Sequence, residues 1–68
     1  MDYKKLGEKI RSLREKQGVS QETFALSIGM DRTYYSGVEN GKHNITIGNL
    51  KKICNGLNIT LSKLLEEL

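Results

Sequence analysis

A single cysteine, no proline and no tryptophan narrow the possibilities before any pattern is considered. Cys54 alone cannot close an intramolecular disulfide. With one Cys and one His, at positions 54 and 43, the chain has neither a nucleophile–base dyad nor a zinc site by spacing, and no nucleophile, base and orienting group occur together. Catalysis, a metal and any other cofactor are therefore not expected, and no small-molecule pocket is suggested. The chain opens without the long apolar run of a signal peptide or membrane span, so a cytoplasmic address away from membranes is expected. The triplets Asn44-Ile45-Thr46 and Asn58-Ile59-Thr60 are glycosylation acceptors only in secreted proteins, and they read instead as loops leading into helices.

Neither sign of charge dominates. Eleven Lys and Arg against eight Asp and Glu give +3, and the isoelectric point near 9.2 is only mildly basic for a nucleic-acid binder. The distribution says more than the sum. Lys4, Lys5, Lys9, Arg11, Arg14 and Lys16 crowd the first segment while Glu66 and Glu67 end the chain. A solvated helix face and a phosphate-binding end both account for the basic run.

What the chain does contain is helical punctuation. At 68 residues it has room for one domain, residues 1–68, near the lower size limit for folding unaided. Seven glycines, together with Leu, Ile and Val recurring every three or four residues, predict short helices joined by tight turns, an all-α fold. Tyr3, Leu6, Ile10, Leu13 and Gln17 line one face of a first helix from Asp2 to about Gln17, capped by Asp2 and ended by Gly18. Ser20 caps a second helix whose inward residues are Phe24, Ala25 and Ile28, and Gly29 stops it. Asp31 caps a third with Tyr35 and Val38 inward, ending at Asn40-Gly41. Thr46 caps a fourth with a buried stripe of Ile47, Leu50, Ile53, Cys54 and Leu57. Thr60 caps a last turn or two, in which Leu61, Leu64, Leu65 and Leu68 offer more apolar surface than one short helix needs.

The informative spacing lies between the second and third helices: about two helical turns, a short turn containing Gly29, then another helix. That is helix-turn-helix geometry. Ala25 fits a close, steep crossing where a larger side chain would hold the helices apart. Gly37, inside the third helix, costs about 1 kcal/mol relative to Ala. Close approach to a ligand and tight packing on a neighbouring helix both explain it.

The segments Ser20-Gln21-Glu22-Thr23-Phe24-Ala25, Gly29-Met30-Asp31-Arg32-Thr33-Tyr34 and Val38-Glu39-Asn40-Gly41-Lys42 resemble the phage Cro and repressor (XRE) type of helix-turn-helix family. Within it, the run from Asp31 to Glu39 is similar to the recognition segment of restriction-modification controller proteins. The resemblance spans nearly the whole chain. It implies a compact five-helix domain of the lambda-repressor-like type that binds palindromic operator DNA as a homodimer and regulates transcription. Two positions depart from the pattern: Tyr35 stands where the family usually carries Ile or Val, which bears on the tilt of the third helix. Ile45 stands where many members have Pro, which should loosen the approach to the fourth.

Arg32 and Thr33 fall in the first turn of the third helix, where such proteins reach base edges in the major groove. An Arg there can hold guanine O6 and N7, worth about 1–3 kcal/mol of discrimination, and Thr can meet a thymine methyl. Ser36, one turn on, is a further base-contact candidate. The competing roles for Arg32 are a phosphate contact or a salt bridge to Asp31. Gln21, Tyr34, Asn40, Lys42, His43 and Asn44 are placed to meet the DNA backbone, with an ordinary surface position as the alternative for His43. The resemblance also implies a partly buried ion pair between Arg14 and Glu39. The surplus leucines 61, 64, 65 and 68 are the dimer-interface candidates. The rival function is a protein-interaction module on the same scaffold, such as an antitoxin or accessory regulator, which should carry apolar anchors where Arg32, Thr33, Ser36 and Lys42 stand.

Overall fold

The computed structural model, which describes residues 1–68, is built of helices alone: α1 (Tyr3–Lys16), α2 (Gln21–Ser27), α3 (Arg32–Glu39), α4 (Ile47–Leu57) and α5 (Leu61–Leu65). Every helix starts at a side-chain cap. Asp2, Ser20, Asp31, Thr46 and Thr60 accept from the backbone amides of Lys5, Thr23, Tyr34, Asn49 and Lys63, each satisfying one of the amides a helix start leaves free. Gly18, Gly29 and Gly41 follow the ends of α1, α2 and α3 with φ of 75°, 67° and 72°, a left-handed conformation that only glycine adopts without strain. α4 ends instead on Asn58, also left-handed.

Leu6 and Ile10 of α1, Phe24 and Ala25 of α2, Tyr35 and Val38 of α3, Leu50, Ile53, Cys54 and Leu57 of α4, and Leu64 of α5 meet in one core. The Phe24 and Tyr35 rings lie 5.2 Å apart, tilted by 43°, a favourable aromatic arrangement. Burial pushes the Cys54 thiol up from its ordinary pKa, so the sulfur remains a protonated packing group.

Two glycines let helices touch backbone to backbone or backbone to ring. A Cβ on Gly7 of α1 would stand 2.4 Å from the Glu39 carbonyl oxygen and 2.5 Å from that of Val38, so α1 and α3 cross at a distance no side chain permits. One on Gly56 of α4 would meet Ile28 Cγ2 at 2.6 Å and Phe24 Cζ at 2.8 Å.

Several sequence expectations need correction. Ile47 is not part of the α4 stripe but 54 % exposed, because it is the residue directly after the Thr46 cap and points away from the core. Gln17 is exposed and reaches sideways, its amide donating to the Gly56 carbonyl at 3.1 Å. Ile45, at the position where many members of the resembled family have Pro, is buried and joins the core. Leu64 is completely buried in its own subunit and so leaves the set of dimer candidates. Of the basic residues of α1, Arg14 is buried and Lys9 donates to the Lys63 and Glu66 carbonyl oxygens at 3.0 Å each, capping the C-terminal end of α5.

Candidate nucleic-acid interface

α3 buries Tyr35, Gly37, Val38 and Glu39 and leaves Arg32 and Thr33 exposed and Ser36 half-buried. Its orientation is set from inside by the Glu39 carboxylate. Arg14 Nε donates to one carboxylate oxygen at 2.7 Å and Nη2 to the other at 3.1 Å, while Nη1 donates to the Val19 carbonyl at 2.7 Å. Gln21 Nε2 adds a hydrogen bond at 2.8 Å, and the Tyr35 hydroxyl donates to Glu39 as well. Every buried side-chain polar atom has a partner. Tyr35, at the position where the resemblance implied an aliphatic residue, thus packs its ring on Phe24 and gives its hydroxyl to the carboxylate.

These contacts determine the charge states. Burial alone would raise the Glu39 carboxyl, but the donors from Arg14, Tyr35 and Gln21 outweigh it and hold it below the usual carboxylate range. The hydrogen bond to Glu39 raises Arg14. Burial, reinforced by the hydrogen bond to Glu39, pushes the Tyr35 phenol well above its ordinary value.

In front of this support lies an open cleft of about 450 Å³ with no hydrophobic lining residue. Arg32, Thr33 and Ser36 line it from α3, Gln21 from α2, and Asn40, Lys42 and His43 from the end of α3 and the loop beyond. All three base-contact candidates and four of the six backbone-contact candidates are therefore brought together. Tyr34 and Asn44 are not. Tyr34 is half-buried, with its hydroxyl 3.4 Å from Asn49 Nδ2, and Asn44 accepts from the Tyr3 hydroxyl at 2.5 Å. The Gln21 amide, facing Glu39, is partly committed to the interior.

Arg32 does not pair with Asp31, whose carboxylate is occupied at the Tyr34 amide 3.0 Å away. Its Nη1 lies instead 3.6 Å from Glu22 Oε2, with 62 % of the Arg32 side chain exposed. Sequence reasoning missed Glu22 as a partner of Arg32, because the contact joins two helices and has no periodic signature. Gly37 also has an unanticipated neighbour. The His43 ring, and not another helix, fills the space beside it: a Cβ on Gly37 would stand 2.2 Å from His43 Nε2. The same ring stacks on Tyr34, with centroids 4.7 Å apart and planes 16° from parallel.

A helix pair held this way, with a polar outer face, is matched by the helix-turn-helix family model over residues 10–64. The chain belongs to the helix-turn-helix family. This helix-turn-helix chain is 52 % identical over 65 residues to the control protein C.MunI of a Mycoplasma species, spanning 94 % of this chain and 88 % of that protein. It is 39 % identical over 66 residues to control protein C.SmaI of Serratia marcescens, spanning 96 % and 79 %. The crystal structure of the restriction-modification controller protein C.AhdI from Aeromonas hydrophila aligns with a TM-score of 0.89 at 41 % identity, over 94 % of this chain and 93 % of that one. The restriction-modification controller C.Esp1396I, solved as a tetramer with its natural 35 base-pair operator, aligns at 0.84 and 34 % identity over 94 % and 84 %. No helix of this helix-turn-helix protein is long and apolar enough to cross a membrane, and no group of three or more His, Cys, Asp or Glu side chains could hold a metal ion.

Proposed function

We propose that this protein is a cytoplasmic transcriptional regulator of the restriction-modification controller kind, acting by binding operator DNA and not by catalysis. α3 enters the major groove, Arg32 addresses a guanine, and Thr33 and Ser36 meet neighbouring base edges. Lys42, Asn40 and Gln21 address the sugar–phosphate backbone on either side. The observation that carries this reading is the outer face of α3: exposed, cationic at Arg32, and bordering a cleft without an apolar residue. A protein-binding version of the scaffold would need a desolvated aromatic or aliphatic anchor at its centre, and none lines that cleft.

The same reading makes the protein a homodimer. Leu61 and Leu65 are half-buried and Leu68 is 37 % exposed, so α5 and the chain end offer an apolar strip of the kind a two-fold interface covers. Two recognition helices would then lie about 34 Å apart, on half-sites about 10 base pairs apart. Selection of bound duplexes from a random pool tests the whole proposal. A palindrome with that spacing supports it, and failure to enrich any sequence over the starting pool refutes it.

A further inference from the structure

The His43 imidazole occupies a notch that α3 itself creates. Gly37 lies one helical turn beyond Thr33, on the side of α3 that borders the cleft. It carries no side chain, and His43 Nε2 and Cδ2 take the space, 2.2 and 2.5 Å from where a Cβ would be. The ring's flat face rests on Tyr34, whose hydroxyl is in turn within 3.4 Å of Asn49 Nδ2 on α4. The residues on either side are also tied down. The Lys42 backbone amide donates to the Gly37 carbonyl at 2.9 Å, and the Asn44 side-chain oxygen accepts from the Tyr3 hydroxyl of α1. The edge bearing Nε2, the ring nitrogen at the tip and the one best able to reach outward, is turned toward α3.

We propose that His43 is a positioning residue: a planar strut that fixes residues 41–45 against the recognition helix so that Lys42 meets a phosphate in one geometry, and not itself a phosphate donor. The inference rests on the reading of α3 as the helix that enters the major groove. What matters chemically is a flat ring of the right size, because the contacts that hold it are stacking on Tyr34 and packing on Gly37. Pre-ordering a contact loop raises affinity by removing the cost of ordering it on binding. It adds nothing to discrimination between bases.

The test compares His43→Ala, His43→Phe and Gly37→Ala by fluorescence anisotropy on the selected operator and on a scrambled duplex, each over a salt series, with circular dichroism to confirm folding. His43→Ala is expected to weaken both duplexes by the same factor, about 2- to 10-fold for the loss of one aromatic stack, with the salt slope unchanged. Gly37→Ala should do the same by expelling the ring, and the Gly37→Ala/His43→Ala pair should be no weaker than either single change. His43→Phe, which keeps the plane and has no ring donor, should bind within about twofold of the unaltered protein. A Phe variant as weak as the Ala variant would overturn the strut, since it would mean that an imidazole nitrogen makes the contact. Binding of His43→Ala at full strength would overturn it too. If the unaltered protein enriches no duplex from the random pool, it is the major-groove reading that fails.

Discussion

Gly7→Ala sets two physical effects against each other, and the structure decides between them. In an isolated helix the change is favourable, because Ala is the better helix former by about 1 kcal/mol. In this fold the new methyl would be placed 2.4 Å from the Glu39 carbonyl oxygen, 2.5 Å from the Val38 carbonyl oxygen and 2.8 Å from the Glu39 carbonyl carbon. All three are backbone atoms, so no side chain can rotate away. α1 must draw back from α3 by roughly 1 Å, which is overpacking of a kind that costs about 1–3 kcal/mol and more where backbone must shift. The displacement falls where the Arg14 guanidinium reaches Glu39 at 2.7 Å, so that pair is stretched as well. With all three contacts far inside van der Waals distance the cost lies at the upper end of that range, so after the gain of about 1 kcal/mol in helix propensity is subtracted the net loss expected is about 2 kcal/mol, and at about 4–8 °C per kcal/mol for a domain of this size the melting temperature should fall by about 8–16 °C. Thermal and urea unfolding followed by circular dichroism measure it directly. A Gly7→Ala protein as stable as the unaltered one, or more so, would refute the backbone-to-backbone crossing and the account of why α3 stands where it does.

Arg32→Ala should lower affinity for the operator by about 1–3 kcal/mol and relax preference at a single base step; equal losses on all duplexes in a competition assay would disprove its role in base reading. Stability should fall at acid pH, because Glu39 titrates lower in the folded than in the unfolded chain. The stabilisation it gives is present above the ordinary carboxylate pKa of about 4.3 and disappears as pH drops through the lower folded value. Urea midpoints between pH 7 and 3 should show this limb, and replacing both Arg14 and Glu39 by apolar residues should flatten it, since the carboxyl whose protonation produces it is then gone. Leu64→Ala should cost about 2–5 kcal/mol of folding stability, whereas Leu65→Glu should leave the monomer folded and move sedimentation toward the monomer. A dimer undisturbed by Leu65→Glu would place the interface elsewhere.

The parts of the fold that were legible are those determined within a few residues. Asp2, Ser20, Asp31, Thr46 and Thr60 each bond an amide three residues ahead, and the left-handed glycines 18, 29 and 41 end helices by local sterics. The exposed faces of Arg32 and Thr33 follow from the same helical period that turns Tyr35 and Val38 inward. What escaped is tertiary. Leucine spacing marks Leu64 as apolar but does not say whether its own subunit or another covers it. Gly7 and Gly56 look like ordinary helix interruptions until the neighbouring helix is in view. The Glu22–Arg32 contact and the seat of His43 on Gly37 join elements whose relative placement no periodicity encodes.

The carboxylate of Glu39 gathers Arg14 from α1, Gln21 from α2 and Tyr35 from α3 itself. Because the scaffold is locked from behind by directional bonds, the outward positions 32, 33 and 36 can change without loosening it. On the proposed reading of α3, operator choice is separable from folding: a new target sequence can be sought by exchanging a few side chains in front of a frame whose support lies behind them.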